Sequence, residues 1–120
     1  MLDRFNYFSS EVFNIVKNWQ KIASQVMKDF GLTSSQLIYM LALYDNDKLN
    51  STELVKISGK DQSDVSRNLN QMIKSAIVEK KSNNKNNYGG SFYLTEKGRR
   101  IGSKISKKTM EYMELANKNI

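Results

Sequence analysis

Residues 61–75, DQSDVSRNLNQMIKS, are the stretch on which the reading of this chain turns. Val65, Leu69, Met72 and Ile73 recur at spacings of three and four, so a helix places them on one side. Asp61 stands where such a helix wants an N-cap acceptor. The other side carries Gln62, Ser63, Ser66, Arg67 and Asn70, which are short hydrogen-bonding groups and one guanidinium fork. The same spacing gathers Ser63, Ser66, Arg67 and Asn70 on one surface, with Lys74 a turn further on. Such a row is either a solvated helix face or a face that reads a partner. The neighbouring segments choose between the two.

Immediately upstream, STELVKIS (51–58) has Asn50 as its N-cap and Glu53 three residues on, the spacing of a capping box. Leu54, Val55 and Ile57 are its apolar residues, and Ser58 with Gly59 ends it. Only SGKD separates this helix from the opening stretch, so the pair reads as a helix-turn-helix with a glycine in the turn. Before it, LTSSQLIYMLALY (32–44) pairs Thr33 with Gln36 as a second capping box. Its expected inward face is Leu37, Met40, Leu41 and Tyr44, and DNDK (45–48) makes a polar turn.

After Ala76 the period changes. IVEKK (77–81) and SFYLT (91–95) have strand character and flank the polar run SNNKNNYGG, which reads as a β-hairpin with a long, exposed loop. A hairpin directly after the second helix makes the motif a winged helix-turn-helix. The last helix is expected from Glu96, capped by Thr95, to about residue 117. Ile101, Ile105, Tyr112, Met113 and Ala116 form its apolar side, and Arg99, Arg100, Lys104, Lys107 and Lys108 make its first half basic.

At the other end, residues 3–30 carry Phe5, Phe8, Val12, Ile15, Trp19, Ile22 and Val26 at alternating spacings of three and four, a heptad seam over three repeats. Phe13, Val16, Ala23, Met27 and Phe30 widen it, and Gly31 suits its C-terminal cap. One small domain has little surface with which to cover so broad and aromatic a stripe. A partner subunit is therefore expected, against the alternative of an ordinary core helix. The expected organisation is mainly α: a dimerisation helix at 1–31, a winged helix-turn-helix at 32–95 and a second dimerisation helix at 96–120.

Composition narrows the chemistry. The 120 residues carry a formal charge of +7, with 19 Lys and Arg against 12 acids, which favours polyanionic partners. There is no Cys and no His, so disulfides, thiolate nucleophiles, the usual Cys/His zinc sites and the commonest general base are excluded. Glu79 and Glu96 flank the hairpin without forming a paired-carboxylate arrangement, so no enzyme, metal or cofactor is expected. No apolar run approaches the roughly 18 residues of a membrane span, and the N-terminus lacks the pattern of a secretory signal. A cytoplasmic protein away from membranes is the expectation.

The order of these segments, with LTSSQLIYMLAL before the motif, STELVKISGKDQSDVSRNLNQMIKSAIVEKK through it and FYLTEKGRRI after the wing, resembles the multiple antibiotic resistance regulator (MarR) family. The likeness covers residues 32–101, and its most specific part is Leu94, Thr95, Gly98 and Arg99, a signature other winged-helix regulators share. It implies a homodimer in which the first and last helices interlock, adding Ile105, Tyr112 and Met113 to the interface read above. It also implies two winged motifs on a pseudo-palindromic DNA site. Two features depart from the family. Its wing usually carries an Asp-x-Arg motif, whereas here Lys85 is the cation at the tip, beside Tyr88, with Lys80 and Lys81 at the base. The glycine expected after the recognition helix is Ala76, which disfavours a left-handed backbone and implies a different helix end. Relatives often bind small aromatic acids in a cleft. Trp19, Tyr39, Tyr44 and Arg4 are the residues here for such an effector, unless these aromatics are core.

The leading expectation is thus a homodimeric, sequence-specific regulator of transcription, a repressor acting by occlusion of double-stranded DNA. Gln62, Ser63, Ser66, Arg67 and Asn70 would read bases, Arg suiting guanine O6/N7 and Asn or Gln suiting adenine N6/N7. Lys74, Lys80, Lys81 and Lys85 would hold phosphates, with Tyr88 alongside in the wing. The alternatives are an architectural or partition protein that coats DNA with little sequence preference, and a winged-helix module that binds protein instead.

Overall fold

Two compact units divide the chain in the computed structural model, which describes residues 2–82 and 90–118, with side chains undescribed at 2–5, 112 and 115–118. Met1–Ser34 with Ile105–Ile120 make one unit, and Ser35–Lys104 make the other. In the first, helix α1 spans Leu2–Asp29 and closes as its sequence implies. Gly31 takes φ +73°, its N–H donates to the Lys28 carbonyl, and the Leu32 N–H donates to the Met27 carbonyl at 2.8 Å. This is a Schellman cap, with Met27 and Leu32 both buried beside it.

The second unit holds the motif. A 3-10 turn, Ser34–Gln36, leads into α2, Leu37–Asp45, so the α-helix starts later than the capping pattern suggests. Leu37 and Met40 face inward as expected, but Leu41 and Tyr44 are only half-buried, and Tyr39 and Leu43 take the deepest positions. Strand β1, Leu49–Asn50, was not foreseen; two residues carry no readable alternation. Helix α3, Ser51–Ser58, starts with the full capping box. The Glu53 N–H donates to Asn50 Oδ1 at 2.8 Å, and the Asn50 N–H donates to Glu53 Oε1 at 3.0 Å. It ends at Gly59, whose φ of +69° turns the chain into α4, Gln62–Lys74.

Strands β2, Val78–Lys81, and β3, Ser91–Leu94, pair antiparallel, and β1 adds to the far edge of β3, giving the order β1-β3-β2. Helix α5, Glu96–Lys118, begins in this unit and ends in the other. The core of the second unit is Tyr39, Met40, Leu43, Leu54, Val65, Leu69 and Met72, all with no exposed surface, closed by Ile77, Val78, Phe92 and Leu94 from the hairpin. Burial of each large aliphatic side chain contributes about 1.5–3 kcal/mol, so three such residues on α4 fix which of its sides faces out. The architecture is a mainly helical winged helix-turn-helix with a three-stranded sheet.

The end of α4 corrects an expectation. Ala76 does adopt the left-handed region, at φ +62°, and is the one described non-glycine residue to do so. The Ile77 N–H donates to the Met72 carbonyl at 2.9 Å, and the Ala76 N–H donates to the Ile73 carbonyl at 3.0 Å. The helix therefore ends in the same Schellman cap as α1, with alanine where α1 has glycine, and Met72 and Ile77 supply the buried apolar contact. The geometry persists because the next turn of chain is clamped, as described below.

Candidate nucleic-acid interface

The opening stretch is mounted at both ends. At its start Asp61 Oδ1 accepts the Asp64 N–H at 2.7 Å, the N-cap read from the sequence. At its finish the Thr95 hydroxyl donates to the Ala76 carbonyl at 2.6 Å and the Thr95 N–H donates to the Ile77 carbonyl at 3.0 Å. The same hydroxyl oxygen accepts the Gly98 N–H at 3.0 Å and so caps α5. Lys97 Nζ adds a bond to the Ser75 carbonyl at 3.2 Å. Gly98 passes so close that a β-carbon there would lie 2.2 Å from the Ile77 carbonyl oxygen. The Thr95–Gly98 signature is thus a clamp: one hydroxyl ties the Ala76 carbonyl, just past the end of α4, to the first turn of α5, and only glycine allows the approach.

The polar side of α4 is where spacing put it. Gln62, Ser63, Ser66, Arg67 and Asn70 are all exposed, as is Lys74, while Val65, Leu69 and Met72 are fully buried. Gln62 Nε2 donates to Ser66 Oγ at 3.4 Å along the row. The first turn of α4 is further held by groups that sequence reasoning missed. The hydroxyl of Tyr39, buried in α2, donates to Asp64 Oδ2 at 2.5 Å. Asn68 Nδ2, also buried, reaches the Asp64 carbonyl at 2.9 Å and its Oδ2 at 3.2 Å. Arg67 Nη2 lies 3.5 Å from Asp64 Oδ1. Nearer the other end, Gln36 Nε2 donates to Gln71 Oε1 at 3.1 Å. The Tyr39 hydrogen bond, followed by Arg67, holds the Asp64 carboxyl below its ordinary value. Burial, followed by the Asp64 bond, pushes the Tyr39 phenol up to about 12. The Asp64–Arg67 spacing was a readable signal. Tyr39 lies 25 residues from Asp64 and gave none. Its burial also removes it as a ligand-cleft residue; Trp19 and Tyr44 are half-buried, Tyr44 lying against Gly102.

The described base of the wing separates two lysines grouped by sequence. Lys80 is opposite Phe92 in the register, its ammonium 5.4 Å from that ring and its stem against Gly90. Lys81 sits 5.2 Å from the Tyr93 ring and 4.0 Å from Glu79. Strand alternation sends the two to opposite faces of the hairpin, both exposed. Lys85 and Tyr88 lie outside the described residues, as do the side chains of Arg4, Phe5 and Tyr112.

In the other unit, Phe8, Val12, Phe13, Val16 and Ile22 of α1 are exposed, and Ile15, Trp19 and Val26 are half-buried. Met113 of α5 is exposed at 48%. Ile105 is only 2% exposed in a single chain, so this residue is core and offers a second copy no surface. Among the described residues no helix is long and apolar enough to cross a membrane, and no acidic cluster could hold a metal ion.

Comparison with known proteins agrees with this architecture. Residues 30–86 match the MarR family. A MarR transcriptional regulator from Methanosarcina mazei superposes with a TM-score of 0.81 at 18% identity, covering 96% of this chain and 83% of that one. A MarR family regulator from Listeria monocytogenes, complexed with a 26mer DNA, gives 0.79 at 25% identity over 92% of this chain and 74% of that one. A cysteine mutant of MarR from E. coli, complexed with operator DNA, gives 0.75 at 15% identity over 100% and 86%. No curated protein matches by sequence.

Proposed function

From a chain that matches the MarR family over residues 30–86 and has the fold of MarR regulators, we propose a sequence-specific, double-stranded DNA-binding regulator of transcription. It acts as a homodimeric repressor on a pseudo-palindromic operator. The observation that carries the reading is the row Gln62, Ser63, Ser66, Arg67 and Asn70, exposed on a helix whose opposite side buries Val65, Leu69 and Met72 completely and whose two ends are tied down. Helix-turn-helix units put the second helix into the major groove, with its N-terminal residues against base edges. Arg67 offers the fork that guanine O6 and N7 accept, and Gln62 and Asn70 offer the amide that adenine accepts.

Lys74, Lys80, Lys81 and Lys85 hold phosphates, which position the protein without specifying sequence. Because Lys80 and Lys81 lie on opposite hairpin faces, they serve different backbone segments or only one of them serves. The open stripe of α1, from Phe8 to Ile22, is the surface on which a second copy docks, and the exposed Met113 of α5 joins it in the proposed interface. Two-fold symmetry then sets the half-sites about one helical turn, roughly 34 Å, apart.

Footprinting tests the reading. One protected palindrome supports regulation; continuous cooperative coverage would mean a protein that coats DNA, and no protection at low salt would mean a protein-binding module. In gel-shift titrations Arg67→Ala costs about 1–3 kcal/mol on the protected site and relaxes the preference at one base pair. Specific binding left intact by that change removes Arg67 from the reading role.

A further inference from the structure

The acid in the first turn of the reading helix needs an explanation, because a carboxylate on a surface that approaches phosphates is repelled by them. Asp64 is too well held for an incidental surface acid. Its Oδ2 accepts from the buried Tyr39 hydroxyl and from the buried Asn68 amide, which holds the carboxylate in place and leaves Oδ1 for Arg67. Arg67 Nη2 lies 3.5 Å from that Oδ1. Of the two partners, the Asp64 side chain is 26% exposed and Arg67 is 65% exposed. An ion pair as open as this adds little to stability, so stability does not account for it. Its geometric consequence is larger. Helical side chains lean toward the N-terminus, and Asp64 is one turn N-terminal of Arg67, so the pair draws the guanidinium over the first turn of α4. Resting on the reading above, that first turn is the end that enters the groove. The contact uses one edge of a group with five N–H donors, which leaves a pair for a guanine.

We infer that Asp64, anchored by the buried hydroxyl of Tyr39, is a positioning residue that stations Arg67 for base recognition, and that Tyr39 thereby sets specificity from the core. A long, flexible arginine otherwise loses rotamer freedom on docking; an arginine already held loses less, and that advantage applies only where its fork finds the correct base. The shift of Asp64 toward the carboxylate form has the same cause, the Tyr39 bond, and keeps the charge that Arg67 requires.

The test is fluorescence-anisotropy titration of the full chain with two duplexes, one carrying the site that the wild type selects from a random pool and one with that site scrambled. Asp64→Asn keeps an acceptor for Tyr39 but removes the charge that holds Arg67. It lowers the ratio of selected-site to scrambled affinity about three- to tenfold. Tyr39→Phe lowers the same ratio, and circular dichroism checks that it remains folded. In an Arg67→Ala background Asp64→Asn leaves the ratio unchanged, since its partner is gone; a merely structural role for Asp64 would act in both backgrounds. The proposal is overturned if Asp64→Asn raises affinity for both duplexes equally, which would make Asp64 only a repelling charge. It is equally overturned if the loss persists without Arg67. Failure of the wild type to select any site would instead remove the DNA-reading function itself, and this inference with it.

Discussion

Helices α4 and α1 are both amphipathic by spacing, yet a single chain covers the apolar side of one and leaves much of the other open. Val65, Leu69 and Met72 have no exposed surface, whereas Phe8 and Phe13 are 64% and 75% exposed. Both helices end in Schellman caps, so the difference does not lie in local structure. It lies in what the rest of the chain can supply. The 13-residue α4 meets α2, α3 and the hairpin, and 28-residue α1 carries more apolar surface than its own unit can bury. Periodicity reports that a face will be covered. Whether the cover is the same chain or a second copy depends on how much surface remains.

The largest effect expected is on the covered side. Leu69→Ala removes a fully buried side chain and should cost about 2–5 kcal/mol in urea unfolding, at every protein concentration alike. On the open side, Phe13→Ser should weaken self-association by about 2 kcal/mol, read as a rise in the dimer dissociation constant by sedimentation, and should flatten the concentration dependence of the melting temperature. An unchanged mass distribution would mean that the α1 stripe is not the interface. If Leu69→Ala and Phe13→Ser behaved alike in both assays, the contrast between the two helices would fail.

How far that contrast was legible depends on which residues carried it. Spacing placed the row from Gln62 to Asn70 on the exposed side and the row from Val65 to Met72 inside, because a helix rotates every residue by a fixed angle. The capping residues Asn50, Asp61 and Thr95 were readable for a similar reason, since each acts within three residues of itself. The Tyr39–Asp64 bond, the two-residue β1 and the approach of Gly98 to Ile77 were not readable. Each joins segments far apart in the chain or depends on a closeness that no local pattern encodes. Ala76 was read against its propensity, and the fold overrode that propensity by clamping the following carbonyls to Thr95.

Two smaller effects sharpen the account of how α4 is held. Tyr39 has its phenol raised from the ordinary 10.0 to about 12 by burial and by the Asp64 bond. A folded-state value above the unfolded one means that the contribution is whole below pH 10 and disappears as pH rises to about 12. The chain should therefore lose on the order of 2 kcal/mol across that window, and Tyr39→Phe should lose correspondingly less. The absorbance of tyrosinate offers an independent check, because Tyr39 should ionise only as the pH approaches about 12. Last, Ala76→Gly should stabilise the chain by roughly 0.5–1 kcal/mol, since the left-handed backbone is already in place and glycine adopts it without a clash. A loss of stability there would mean that the denatured-state freedom of glycine outweighs the strain relieved.

The most direct test of the central claim is selection of bound duplexes from a random pool by the wild-type chain. A two-fold symmetric consensus with half-sites about one helical turn apart, containing a guanine whose preference vanishes when Arg67→Ala is used for the selection, is the predicted result. Recovery of no consensus, or of a single half-site without its symmetric mate, would contradict it.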